Sequence, residues 1–266
     1  MIGKVEVNGA VVPYCTFGSG KRTFVILPGM STCPVVPMAE AIAQGFSLFT
    51  EDYTVYLFDR KEKIDGEYGV RDMARDTAEA MRSLGIRAAD IFGASQGGQI
   101  AMVLAAEYPE LVHALYLAST AARPNATSRS IFKEWMRLTE TADSYGINHA
   151  VNRTIYSEAF YAANRAGLEA AEHAEVDKKR FYRIVQGSVD FDIYNELPQI
   201  GCPVFVTGAR QDAVMTLEAP REIAEKLGCE LYVYDGYGHA AYDEAPDYRS
   251  RMLQKLRSTY AENAEK

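Results

Sequence analysis

Cysteine is scarce in this 266-residue chain and scattered where it occurs, at Cys15, Cys33, Cys202 and Cys229. No two of these form a C-x-x-C pair, and no histidine lies near them at metal-ligand spacing. That argues against a disulfide framework and against a zinc module, and leaves four reduced thiols as the expected state. Long apolar runs are missing too, and no stretch approaches the length of a membrane-spanning helix. Met1 to Val7 lacks the apolar region of a secretion signal, so a cytoplasmic protein is expected. In that compartment the sequons at Asn125 and Asn152 carry no meaning. Basic residues are outnumbered, 28 Lys and Arg against 36 Asp and Glu, for a formal net charge of -8. This balance argues against nucleic acid or an anionic membrane surface as a partner. A phosphate loop is absent as well. Gly20-Lys21 has Cys15 where that motif needs glycine and Arg22 where it needs Ser or Thr. No metal or other cofactor is called for.

What is present suits one large α/β core with a modest insertion. Lys4 to Val12 alternates apolar and polar residues around Asn8-Gly9, which predicts a hairpin continuing through Phe17. Thr23–Leu27, Tyr53–Phe58, Ala89–Phe92, Val112–Ala118, Pro203–Gly208 and Glu230–Tyr234 are short apolar runs. All six predict strands, the first four of them buried. Between them lie helix-like stretches at 39–49, 70–84, 99–107, 217–227 and 246–260. Strands alternating with helices imply a mainly parallel, doubly wound sheet of about eight strands. From 121 to 193 no strand is legible, and the segment is helix-permissive and rich in aromatics. It reads as a helical insertion into a core formed by 1–120 and 194–266. Most of its aromatics are expected to pack the insertion itself. The terminal Ala261–Lys266 reads as frayed.

One stretch stands out, Gly93-Ala94-Ser95-Gln96-Gly97-Gly98, placed between an apolar strand and a helix. Strand, G-x-S-x-G, helix is the setting of a nucleophile elbow. A turn so tight strains the apex residue and leaves no room for side chains around it. It holds the Ser95 hydroxyl at the positive end of the following helix. A serine nucleophile at neutral pH needs a general base and a group that orients the base. Histidine is scarce enough, at four, to sort one by one. His113 opens a strand, and His149 and His173 fall in the insertion; all three read as structural or solvated. His239 follows a strand in the loop Asp235-Gly236-Tyr237-Gly238-His239. Asp212 follows another strand, in Gly208-Ala209-Arg210-Gln211-Asp212.

The order Ser95, Asp212, His239, each just past a strand's carboxyl end, resembles the α/β-hydrolase family over nearly the whole chain. The resemblance implies the α/β-hydrolase fold and a Ser-Asp-His triad. It implies an oxyanion hole made by the backbone amides of Met30, in Leu27-Pro28-Gly29-Met30, and of Gln96. It also makes 121–193 a cap, placed after the sixth strand as in the family. Three features depart from the common pattern. Pro28 stands where many relatives carry His, the acid loop is one residue longer than Gly-x-x-Asp, and no acid follows the sixth strand.

The expected activity is hydrolysis of a carboxylic ester or related acyl bond in a small to medium, mostly uncharged substrate. Arg123 and Arg129, near the cap's entry, read as ion-pair partners rather than carboxylate receptors. Thioesterase, lactonase, C–C-bond hydrolase and acyltransferase chemistry use the same triad, and a non-catalytic binding protein can use the same pocket. Neither the physiological substrate nor the oligomeric state is legible.

Overall fold

A computed structural model describes residues 1–264 of the chain. β1 (Ile2–Val7) and β2 (Ala10–Phe17) form the expected antiparallel hairpin. Asn8 and Gly9 join them with φ of 51° and 74°, the two left-handed residues that a type I′ turn requires. β3 (Arg22–Leu27), β4 (Tyr53–Phe58), β5 (Ala89–Ala94), β6 (Val112–Ala118), β7 (Val204–Ala209) and β8 (Leu231–Tyr234) complete an eight-stranded sheet. Its order is β1-β2-β4-β3-β5-β6-β7-β8. β2 pairs antiparallel with β4, and every pairing from β4 across to β8 is parallel.

Helices α1 (Ala39–Gly45), α2 (Val70–Ser83) and α3 (Gln96–Glu107) precede β6. Five more lie between β6 and β7: α4 (Ala126–Thr141), α5 (Ser144–Ile155), α6 (Glu158–Ala163), α7 (Arg165–Glu172) and α8 (Lys178–Val189). Side chains cap four of these five, with Asn125, Asp143, Ser157 and Asp177 each accepting a bond from a first-turn amide. Such caps satisfy backbone donors that the first turn leaves open. After β7 come α9 (Glu218–Leu227), α10 (Ala241–Glu244) and α11 (Tyr248–Ala264).

Each face of the sheet has its own core. On one, α2, α3 and α9 cover Val25, Leu27, Ile91, Leu115, Leu117 and Val206. On the other, α1 and α11 cover Phe24, Ile26, Val55, Phe92 and Tyr116. This double coverage is why the central strands are continuous apolar runs. A third cluster joins Phe132, Trp135, Ile147 and Phe181 of the five-helix segment to Val214, Met215 and Ala219.

Among the boundaries that differ from those the sequence predicts, two stand out. The helix expected over 39–49 ends at Gly45, and Ser47–Phe49 form a separate 3₁₀ turn. The break lets Phe46 and Phe49 turn inward, where both pack on Phe24 with ring centroids 6.0 and 4.7 Å away. The last helix runs on to Ala264 through residues expected to fray; Glu265 and Lys266 of that tail lie outside the described residues.

At the amino end of β5, Asp90 is fully buried. It accepts bonds from Tyr53 Oη at 2.7 Å and Tyr260 Oη at 3.1 Å, and its other oxygen meets His113 Nδ1 at 2.7 Å. Asp90→Ala leaves all three partners unpaired, and is expected to lower unfolding free energy by about 3–5 kcal/mol. Urea denaturation checks this. A loss under about 1 kcal/mol would mean that water or a neighbour replaces the carboxylate.

Candidate active site

Tight packing around Ser95 explains the glycines of its pentapeptide. Ser95 itself holds φ 52° and ψ -119° at the head of α3, a conformation that a non-glycine residue adopts only where its surroundings enforce it. Its amide donates to Ala118 O at 2.8 Å, and its carbonyl accepts from Thr120 Oγ1 at 2.6 Å. A Cβ at Gly93 would fall 2.6 Å from Gly97 O, and one at Gly98 2.7 Å from Thr120. At Gly97 it would collide with Leu27 O outright. β3, β5, α3 and the segment after β6 therefore meet here at backbone contact distance.

Gly29, in the loop after β3, lies against the serine: a Cβ there would be 3.2 Å from Ser95 Cβ and 3.8 Å from Ser95 Oγ. Met30 follows, half-buried and packed against both the sheet core and the five-helix cluster. The Met30 and Gln96 amides are both main-chain donors that lack a backbone partner among the described residues.

Asp212 and His239 meet in the fold, although 27 positions separate them. His239 Nδ1 lies 2.9 Å from Asp212 Oδ2 and 3.0 Å from Oδ1. Both side chains are buried. Asp212 Oδ1 also accepts from the amides of Val214 at 2.8 Å and Met215 at 2.9 Å. The carboxylate is thereby fixed in place before it touches the imidazole. The extra residue in its loop is absorbed by β7, which extends through Ala209. Ser95, Asp212 and His239 follow β5, β7 and β8, so all three stand at the carboxyl edge of one parallel sheet. Open α/β sheets bind ligands at that edge.

Sequence reasoning missed the groups that hold this edge together. Arg60, buried just past β4, donates from Nη2 to Pro28 O at 2.8 Å and to Gln96 Oε1 at 3.1 Å. Burial lowers its pKa to about 10, partly offset by Tyr68 and Asp59, so it stays charged at neutral pH. Gln96 Nε2 in turn donates to Ile184 O at 2.7 Å and Ser188 Oγ at 2.9 Å, both on α8. One guanidinium and one amide therefore tie the β3 loop, the elbow and α8 to each other. The only sequence signal was the position of Asp59-Arg60 at a strand's carboxyl end.

A second tie joins the histidine loop to the helices after β6. Glu244 accepts from Ser157 N at 3.0 Å and Ser157 Oγ at 2.5 Å, and Ala240 N donates to Ile155 O at 2.9 Å. The three remaining histidines are held elsewhere, His149 by Glu172 at 2.9 Å, His113 by Asp90, and His173 stacked on the Tyr145 ring at 5.0 Å. Arg123 pairs with Glu222 and lies over the Tyr194 ring.

A pocket of about 440 Å³ opens beneath the β3 loop, lined by Gly29, Met30, Phe92, Ala94, Tyr156 and Tyr242 among others. It reaches the residue before Ser95 and the glycine that touches it. A larger cavity, about 590 Å³, opens beside β1 near Lys4, Pro37 and Arg180. Neither Gly29 nor Ala94 lines it. Among the described residues no cluster of His, Cys, Asp and Glu could hold a metal ion, and no helix is long and apolar enough to cross a membrane.

Residues 22–246 match the family described as alpha/beta hydrolase fold. Among curated proteins, the chain is 26% identical over 240 residues to "Putative carbamate hydrolase RutD" of Caulobacter sp. (strain K31), covering 86% of this chain and 88% of that one. The protein of the same name from Pseudomonas syringae pv. syringae (strain B728a) is 26% identical over 228 residues, 82% and 88% of the two chains. Among solved structures, the enol-lactonase from Burkholderia xenovorans LB400 superposes with a TM-score of 0.84 at 20% identity, over 96% of this chain and all (100%) of that one. A thermophilic esterase from Thermogutta terrifontis gives 0.81 at 19%, over 97% and 99%. At these identities the structural likeness speaks to the fold.

Proposed function

The chain belongs to the alpha/beta hydrolase family, and on that footing we propose that it cleaves a carboxylic ester or related acyl bond through an acyl-enzyme on Ser95. The observation that carries this reading is the buried Asp212–His239 pair, at 2.9 Å, on the same sheet edge as a strained, glycine-ringed Ser95. In this mechanism His239 Nε2 takes the proton from Ser95 Oγ as the oxygen attacks the carbonyl carbon. Asp212 holds the Nδ1–H tautomer and stabilises the imidazolium that forms. The amides of Met30 and Gln96 receive the negative charge of the tetrahedral intermediate. His239 returns the proton to the leaving group, and water then releases the acid by the same route.

Substrate size follows from the pocket. About 440 Å³ suits a small molecule, toward the lower end of ordinary ligand cavities. Its walls are mainly apolar, which favours an uncharged acyl group. Residues 121–193 act as the cap over this pocket, with the core in 1–120 and 194–266. The RutD relatives' names make carbamates worth testing beside esters and lactones, since all three present a carbonyl to the same nucleophile. Rates for p-nitrophenyl esters of graded length test the reading. Short and medium acyl groups should be cleaved fastest. A clear preference for long chains, or for a free carboxylate, contradicts it.

Arg60 is a positioning residue in this scheme, because it clamps both loops that present the oxyanion amides. Arg60→Met is expected to lower kcat on the order of a hundredfold, the scale of a misplacement of about 1 Å. KM should change far less. An equal rise in KM with kcat intact would instead make Arg60 a substrate-binding group.

A further inference from the structure

Two phenols face the pocket beneath the β3 loop from different parts of the chain. Tyr156 follows α5, and Tyr242 lies on α10, three positions after His239. They are brought together by the tie between the histidine loop and the helices after β6. A Cβ at Gly238 would fall 3.2 Å from Tyr156 C, and Glu244 holds Ser157 next door. Their rings are fixed by packing: Tyr156 stacks on Phe160 at 4.9 Å, while Tyr242 meets Phe92 and Tyr248 edge-on at 6.2 and 6.4 Å. Among the described residues neither hydroxyl has a hydrogen-bond partner. Burial, with the Asp243 and Glu244 carboxylates nearby, pushes both phenols above their ordinary pKa. They therefore remain protonated donors across the working range.

We propose that Tyr156 and Tyr242 form a donor pair that selects an acyl group carrying a hydrogen-bond-accepting oxygen, as in a keto or ether acid, over the plain hydrocarbon chain of the same size. The proposal rests on the acyl-hydrolase reading and narrows its substrate. A hydrocarbon acyl group would strip water from both hydroxyls and give nothing back, whereas a ketone or ether oxygen replaces the lost bond. Sites built around donors discriminate strongly against ligands that leave those donors unpaired. The remaining walls are largely apolar, with Ile26, Ile42, Phe46 and Leu57 among them, and the charged members, Asp243 and Arg249, pair with each other at 3.1 Å.

The test uses matched pairs: p-nitrophenyl 4-oxopentanoate against pentanoate, and methoxyacetate against butanoate. The wild-type enzyme should favour the oxygen-bearing member in kcat/KM. That ratio should fall at least tenfold in Tyr156→Phe with Tyr242→Phe, which cancels any intrinsic reactivity difference between the esters. A ratio unchanged by the double substitution overturns the proposal. A second arm does not depend on turnover. Ser95→Ala protein, titrated by NMR, should bind methyl 4-oxopentanoate at least tenfold tighter than methyl pentanoate, and the two phenylalanines should erase the difference. Equal binding of the two methyl esters overturns the donor pair even where esters are hydrolysed. If binding is selective but no ester is cleaved, the acyl-hydrolase reading fails and the subsite stands.

Discussion

Ser95→Ala is expected to lower turnover on the order of a million-fold, the loss typical when a triad nucleophile is removed. The substitution removes one oxygen and keeps the Cβ, so the turn is no more strained than before. The bonds that clamp residue 95, from its amide to Ala118 O at 2.8 Å and from Thr120 Oγ1 to its carbonyl at 2.6 Å, involve backbone atoms of that residue and survive. Circular dichroism and the urea midpoint should therefore match wild type while kcat collapses. A variant that keeps more than about a hundredth of the wild-type rate would exclude Ser95 as the nucleophile.

Asp212→Asn should cost roughly ten-thousand-fold in kcat, with the fold again preserved. The geometry shows why a nearly isosteric change is so damaging. Oδ1 accepts from the Val214 and Met215 amides, so an asparagine keeps its oxygen there and turns its NH₂ toward His239 Nδ1. Nδ1 must then accept rather than donate, and the ring proton moves to Nε2. A ring protonated at Nε2 cannot take the proton of Ser95. Asp90 supplies the contrast: it too is a buried aspartate bound to a histidine, but at the opposite end of β5. Its loss should reduce stability and leave kcat of the folded protein near wild type. Steady-state kinetics beside urea denaturation for both variants separates the two roles. A drop under tenfold for Asp212→Asn would make the contact structural.

Local pattern made much of this architecture legible. Asn8-Gly9 marks its hairpin because only particular residues adopt that turn, and the buried strands announce themselves as apolar runs because both faces of the sheet are covered. The setting of Ser95 was readable for a similar reason, since the collisions that demand Gly93, Gly97 and Gly98 lie within a few residues of it. Contacts between distant segments were not readable. Arg60 meets Gln96 across 36 positions, and Gln96 meets Ser188 across 92. No periodicity encodes such a pairing, because each partner obeys only its own strand or helix. The pairing of Tyr156 with Tyr242 is hidden in the same way. The missed break at Gly45 has a different origin: the helical period continues through Phe46 and Phe49, and tertiary packing on Phe24 overrides it.

The most direct measurement is covalent labelling with a fluorophosphonate, followed by peptide mass spectrometry on wild type, Ser95→Ala and heat-denatured protein. A serine activated by His239 should give one adduct, on the peptide carrying Ser95 in the native wild type, and none in the variant or the denatured control. An adduct on any other residue, or native protein that stays unlabelled while folded, would contradict a nucleophilic Ser95.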